Sequence, residues 1–245
     1  MSTDLTDNLP TPLAYIVSRY MYRSAPSLPR LISILEITLL FIEDVLRAQA
    51  QFDQDMRRPA TLGVKAGFIR ELVRKLRRDG REPIFDFFER EDADILQRMV
   101  SVRNRWAHGW SSERMDDGTV DKFEHDLFRI LRAVTQIHIV VGPIEGQRPV
   151  LYELRGVRGL FDPSVVIHGP SVQGLNPGAI LAWRANGPEV SLYPFMRWYI
   201  GKFREHRLEF LSVVEPPKLL YLDPLGSMDG EMAGEIAPSA ADRMR

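Results

Sequence analysis

The chain has 245 residues, 44% of them apolar and 27% charged, the mix of a soluble protein with enough apolar material for one large domain or two small ones. It contains no cysteine, which excludes disulfides, zinc–thiolate sites, iron–sulfur ligation and cysteine nucleophiles together. The formal net charge is −1, so nothing global advertises nucleic acid, and the positive charge is local: residues 65–81 hold seven basic residues against two acidic ones.

The opening stretch MSTDLTDNLP carries two aspartates and no apolar run, unlike a secretory signal, and the expected location is the cytoplasm. The greasiest stretch, residues 28–46, is interrupted by Arg30, Glu36, Glu43 and Asp44, charges too costly near the middle of a membrane span. Residues 28–47 are too long and too evenly apolar for a strand. Leu31, Leu35, Thr38 and Ile42 mark one helical face, which predicts a core helix covered on most sides.

Pro59 and Thr61 precede a second helix whose stripe is Ile69, Leu72, Val73 and Leu76, with Arg70, Arg74, Arg77 and Arg78 on a neighbouring arc and Gly80 as its stop. A third helix begins near Asp92 or Asp94, acidic residues suited to a helix N-terminus, and runs through Ile95, Leu96, Met99 and Val100 into RNRWAHG, with Gly109 as a natural end. After a polar loop, Val120, Phe123, Leu127, Leu131, Val134, Ile137 and Val141 step by threes and fours, predicting a fourth, long helix.

Beyond Gly142 the texture becomes β-rich, with recurrent Pro and Gly between short strand-like stretches. Asn186-Gly187 readily supplies positive φ, so residues 179–185 and 189–198 are expected to form a hairpin, although Pro188 is at odds with a two-residue turn. Residues 227–245 hold too little apolar material to offset the cost of ordering and are expected to be disordered. The expected fold is therefore α+β: a four-helix N-terminal domain over residues 1–142, a smaller β-rich domain over 143–226, and a tail.

The segment with chemical content is 103–108, Arg-Asn-Arg-Trp-Ala-His, at the end of the third helix. At about 100° per residue, Arg103 falls in the sector of Leu96, Met99, Val100 and Ala107, so its guanidinium projects toward an apolar surface and must find acceptors. Asn104 and His108 share a face at i, i+4. His108 would lie about 140° from Arg103 on an ideal helix, so the two converge only if the helix loosens at Gly109 or two copies face each other.

Arg103, the polar Asn104 and His108 match in type, spacing and position the signature of the HEPN superfamily: an arginine, four to six residues, and a histidine near a helix end in a four-helix domain. The string with Trp106 and Ala107, followed by an acidic loop and an apolar helix, resembles a branch found in bacterial conflict and RNA-surveillance proteins. The resemblance covers residues 28–141. It implies a four-helix bundle and a symmetric homodimer in which both motifs line one cleft, an arrangement that meets the angular requirement above. It further implies a metal-independent endoribonuclease, without cofactor, that leaves a 2′,3′-cyclic phosphate and a 5′-hydroxyl. The setting it implies is a toxin-like effector in bacterial stress or anti-phage defence; for the β-rich half, which the resemblance does not cover, a sensing or interaction role is expected, as a surface for an antitoxin or defence-system partner.

The residue types suit that task. His108 titrates near neutrality and can move the proton; Arg103 stays charged and offers a planar fork to phosphate; Asn104 can position either. Arg105 can hold RNA backbone and Trp106 can stack on a base, although Trp106 falls beside Ile95 on the helical wheel, where core packing is the plainer role. Arg70, Arg74, Arg77 and Arg78 either steer RNA or form a solvated face. The alternative is a non-catalytic HEPN module that binds RNA or dimerises within a larger complex. The five histidines are too scattered for a metal site.

Overall fold

The computed structural model describes residues 3–11, 13–14, 17–18, 27–52, 61–85, 90–107, 117–142, 151–157, 164–165, 179–193, 195–200, 206–211 and 219–222. His108 and the tail expected to be disordered lie outside the described residues. The fold is α+β. Among the described residues a short helix α1 (Thr3–Asn8) precedes four longer ones, α2 (Leu28–Gln49), α3 (Leu62–Arg78), α4 (Arg90–Ala107) and α5 (Asp117–Val134), and residues 11, 13–14 and 17–18 are helical as well. Among these, α2 touches α3 and α5, α3 touches α4, and α4 touches α5, so the four close into a ring. No helix among the described residues is long and apolar enough to cross a membrane.

The helix ends follow from local chemistry. Thr61 caps α3, its side chain accepting from Val64 N–H. At the other end Gly80 takes φ of 70°, while Arg81 N–H donates to Leu76 O and Gly80 N–H to Arg77 O. That is a Schellman motif, and Gly80 is the stop that the sequence predicts. The same motif ends α2, where Phe52 N–H donates to Arg47 O and Gln51 N–H to Ala48 O, but there the left-handed residue is Gln51, φ 55°.

The strands are β1 (Ile137–Val141), β2 (Tyr152–Glu153), β3 (Ser164–Val165), β4 (Ile180–Arg184), β5 (Glu189–Ser191), β6 (Met196–Ile200), β7 (His206–Leu211) and β8 (Leu219–Leu222). They form two antiparallel sheets, ordered β3-β2-β1-β4-β5 and β6-β7-β8. The long fourth helix is thus shorter than its apolar stepping predicts. It stops at Val134, and residues 137–141 become the central strand of the larger sheet. Ile137 and Val141 lie on one side of a strand as readily as on one side of a helix. The β-branched run and its pairing with β4, from Ile137 opposite Arg184 to Val141 opposite Ile180, decide for the strand.

Asn186 carries the positive φ, 58°, between β4 and β5, which pair with Trp183 opposite Glu189. The second arm of that hairpin does not run on to residue 198. Met196 N–H turns back to Leu192 O, and the chain passes into the second sheet.

The apolar core is continuous from the helices into the larger sheet: Leu35, Leu39, Ile69, Leu96 and Leu131 belong to the same buried cluster as Ile139, Ile180 and Met196. The N-terminal segment joins them. Leu9 and Leu13 are buried, Thr11 N–H donates to Leu154 O, and Gly156 N–H donates to Leu9 O. The change from helix to strand falls at residues 135–137, before residue 142, and lies within one buried cluster.

Candidate functional site

Helix α4 buries Ile95, Leu96 and Met99 against its neighbours, and Gly63 at the start of α3 comes so close that a Cβ there would meet Val100 Cγ1 at 3.3 Å. The last turn differs: Asn104, Arg105, Trp106 and Ala107 are all exposed. Arg103 sits at the edge between these regimes, its side chain 29% exposed. Its guanidinium finds acceptors, as a partly desolvated cation must. Nε and Nη2 lie 3.4 Å from Oε1 of Glu36 on α2, and Nη1 lies 3.5 Å from Asn104 Oδ1. The side chain therefore lies with its stem toward the core and its head at the surface. One edge of the fork faces Glu36, and the Nη1/Nη2 end retains donors for a phosphate.

The structure thus brings Arg103 and Asn104 together and adds Glu36. Trp106, for which the helical wheel favours core packing, is instead 46% exposed. The wheel assumes a partner along the whole helix, and all four described residues that end α4 are exposed. The α3 arginines spread along their helix. Arg70 is half-buried, Arg74, Arg77 and Arg78 are exposed, and Arg74 is paired with Glu71 at 2.7 Å. Arg77 lies fourteen residues beyond Gly63, about 21 Å along the axis from the point where α3 touches Val100. The arc does not gather at Arg103.

Arg105 points elsewhere. Two residues after Arg103, and so about 200° around the helix, it lines a groove of about 610 Å³ between α4 and α5. Met99 and Phe123, both buried, and Val102 contribute its apolar lining. Arg98 on α4 reaches Asp126 on α5 at 3.4 Å across the groove, and Lys122 lines the α5 side.

Two further clusters lie away from this helix. On α2, Glu43, Asp44 and Arg47 are fully buried; Arg47 Nε donates to Glu43 Oε1 at 2.8 Å and its guanidinium lies 4.9 Å from the Phe68 ring centroid. A buried pair of this kind adds little net stability, because desolvation of both charges offsets their attraction. In the larger sheet, His138 Nδ1 is 2.7 Å from Glu153 Oε1 and 2.9 Å from Arg155 Nη2, and its ring lies 4.8 Å from that of Trp183. Arg155 also donates to Glu153 and to the carbonyl of Asn8, tying α1 to the sheet. Burial works to raise the Glu153 carboxyl, but hydrogen bonds from His138 and Arg155 outweigh it and hold the group below its ordinary 4.5.

Sequence reasoning missed Glu36 and both clusters, because in each the partner lies on another element or the charges read only as interruptions of an apolar helix. Among the described residues no three His, Asp or Glu side chains gather to hold a metal ion. Compared with models of known protein families, with curated proteins and with solved structures, the chain matches none.

Proposed function

We propose that the chain is a metal-independent endoribonuclease of HEPN type, acting as a homodimer whose two Arg103–His108 segments share one cleft. The observation that carries the reading is Arg103: a partly exposed guanidinium at the end of α4, held on one edge by Glu36 and beside Asn104, with donors left for a phosphate. The closed ring of α2, α3, α4 and α5 supports the bundle that the sequence resemblance implies. In this reading His108 moves the proton between the ribose 2′-OH and the leaving 5′-oxygen, Arg103 stabilises charge growing on the phosphate, and Asn104 orients them. The products are a 2′,3′-cyclic phosphate and a 5′-hydroxyl. By the same resemblance the protein is a toxin-like effector in bacterial stress or anti-phage defence; in this reading the β-rich half, outside the resemblance, serves as the sensing or partner-binding surface for an antitoxin or defence partner.

The pairing with Glu36 favours one other reading, a HEPN module that binds RNA or dimerises without cutting, because a guanidinium already engaged by a carboxylate is weaker toward phosphate. The two separate on cleavage of total RNA and tRNA in EDTA by the wild type beside Arg103→Ala and His108→Ala, with circular dichroism and mass measured on each. Cutting by the wild type and a roughly 10²- to 10⁴-fold loss in folded, dimeric variants supports the nuclease. Equal inertness of all three gives the binding module.

A further inference from the structure

We propose that the groove between α4 and α5 is a subsite for single-stranded RNA flanking the cut phosphate, with Arg105 and Lys122 holding its backbone. The proposal rests on the ribonuclease reading for its ligand. About 610 Å³ is the size of a small-ligand site. A groove between two packed helices admits a splayed strand; a duplex is far too wide for it. Its lining carries both chemistries such a strand needs: the partly exposed Val102, backed by buried Met99 and Phe123, supplies apolar surface for a base, and cations stand on both walls, with the exposed carboxylate of Asp94 at the start of the α4 wall.

The charges are not equivalent. Asp126 is 7% exposed and already answered by Arg98, so that pair is neutral and braces the two helices. Arg105 on α4 and Lys122 on α5 are both exposed and line opposite walls of the groove, so each wall offers a cation to a phosphodiester backbone running along it. Arg105 also belongs to the segment that begins at Arg103. The two arginines leave α4 about 200° apart, so a strand reaching both must wrap the exposed last turn, past Asn104 on one side or Trp106 on the other. The groove therefore takes a neighbouring nucleotide, while the scissile phosphate lies at Arg103.

The test is binding of a fluorescent 2′-O-methyl single-stranded oligonucleotide, which lacks the attacking hydroxyl, to the full chain, measured across a salt series. Lys122→Gln should lower the slope of log K against log salt by about 0.7, equivalent to about fivefold weaker binding at 0.1 M salt. Ser101→Trp, which fills the groove from an exposed position on α4, should weaken binding by a comparable factor with unchanged circular dichroism and mass. Unchanged affinity and slope in both variants overturn the subsite. So does a fall to monomers, which would make the groove a contact between copies of the chain. Binding is read separately from cleavage: a wild type that binds through Lys122 without cutting sinks the nuclease alone, and one that cuts with no change in Lys122→Gln sinks the groove alone.

Discussion

At the scale of single residues, the arrangement turns on Glu36, which meets Arg103 across 67 positions of sequence. Both side chains are partly exposed and the separation is 3.4 Å, so the pair should add less than about 1 kcal/mol to stability. Its value is orientation. Freed from the Nε/Nη2 edge, the guanidinium would sample other rotamers, and displacements of about 1 Å cost up to about 100-fold in rate. Glu36→Ala should therefore lower kcat for RNA cleavage by about 10- to 100-fold with KM and thermal midpoint nearly unchanged, and Glu36→Asp should recover part of it. A large fall in thermal midpoint with kcat intact would show that the carboxylate serves the fold. Arg103 and Asn104 were legible in the sequence because spacing on one helix is local information. Glu36 was not, since nothing near it names its partner, and Trp106 was misjudged because a wheel cannot show where a helix outruns its neighbours.

Among the elements, the two Schellman motifs offer a paired experiment. Gly80 and Gln51 occupy the same left-handed position after α3 and α2, with φ of 70° and 55°. A non-glycine residue there costs about 1–2 kcal/mol of backbone strain, partly offset by the greater freedom glycine has in the unfolded chain. Nothing lies within 4 Å of a Cβ built on Gly80, and Gln51 is exposed, so backbone preference should dominate at both sites. Gly80→Ala should destabilise by about 1 kcal/mol and Gln51→Gly stabilise by up to about 1 kcal/mol, read as opposite shifts of the urea midpoint. Shifts of the same sign would mean that side-chain contacts outweigh φ at one of the caps. The sequence announced the first stop, because glycine advertises positive φ, and concealed the second. It also extended α5 over residues 135–141, where four-residue spacing of apolar residues fits a strand equally well and the deciding partner, β4, lies some forty residues on.

For the whole molecule, a shift from helix to strand was legible but was placed at residue 142 instead of 135–137, and continuity of packing across it was not legible, because contacts spanning 145 positions leave no local signature. Thr11 and Leu9 pair with Leu154 and Gly156, Arg155 holds the carbonyl of Asn8, and an ion pair joins Arg184 of β4 to Glu82 after α3. Helix α2 also rests on β5. If the helices opened first, Ile139, Ile180 and Ala182 would lose the cover they share with the helical core, and the sheet would retain little apolar surface of its own. Helices and larger sheet should therefore unfold together. In a variant with Trp106, Trp110 and Trp198 replaced by phenylalanine, Trp183 reports the sheet, while ellipticity at 222 nm reports the helices. In urea the two signals should share one midpoint and one slope. Separate midpoints would show that the β-rich half is a folding unit of its own, in which case the strap through Arg155 links two bodies and does not seal one core.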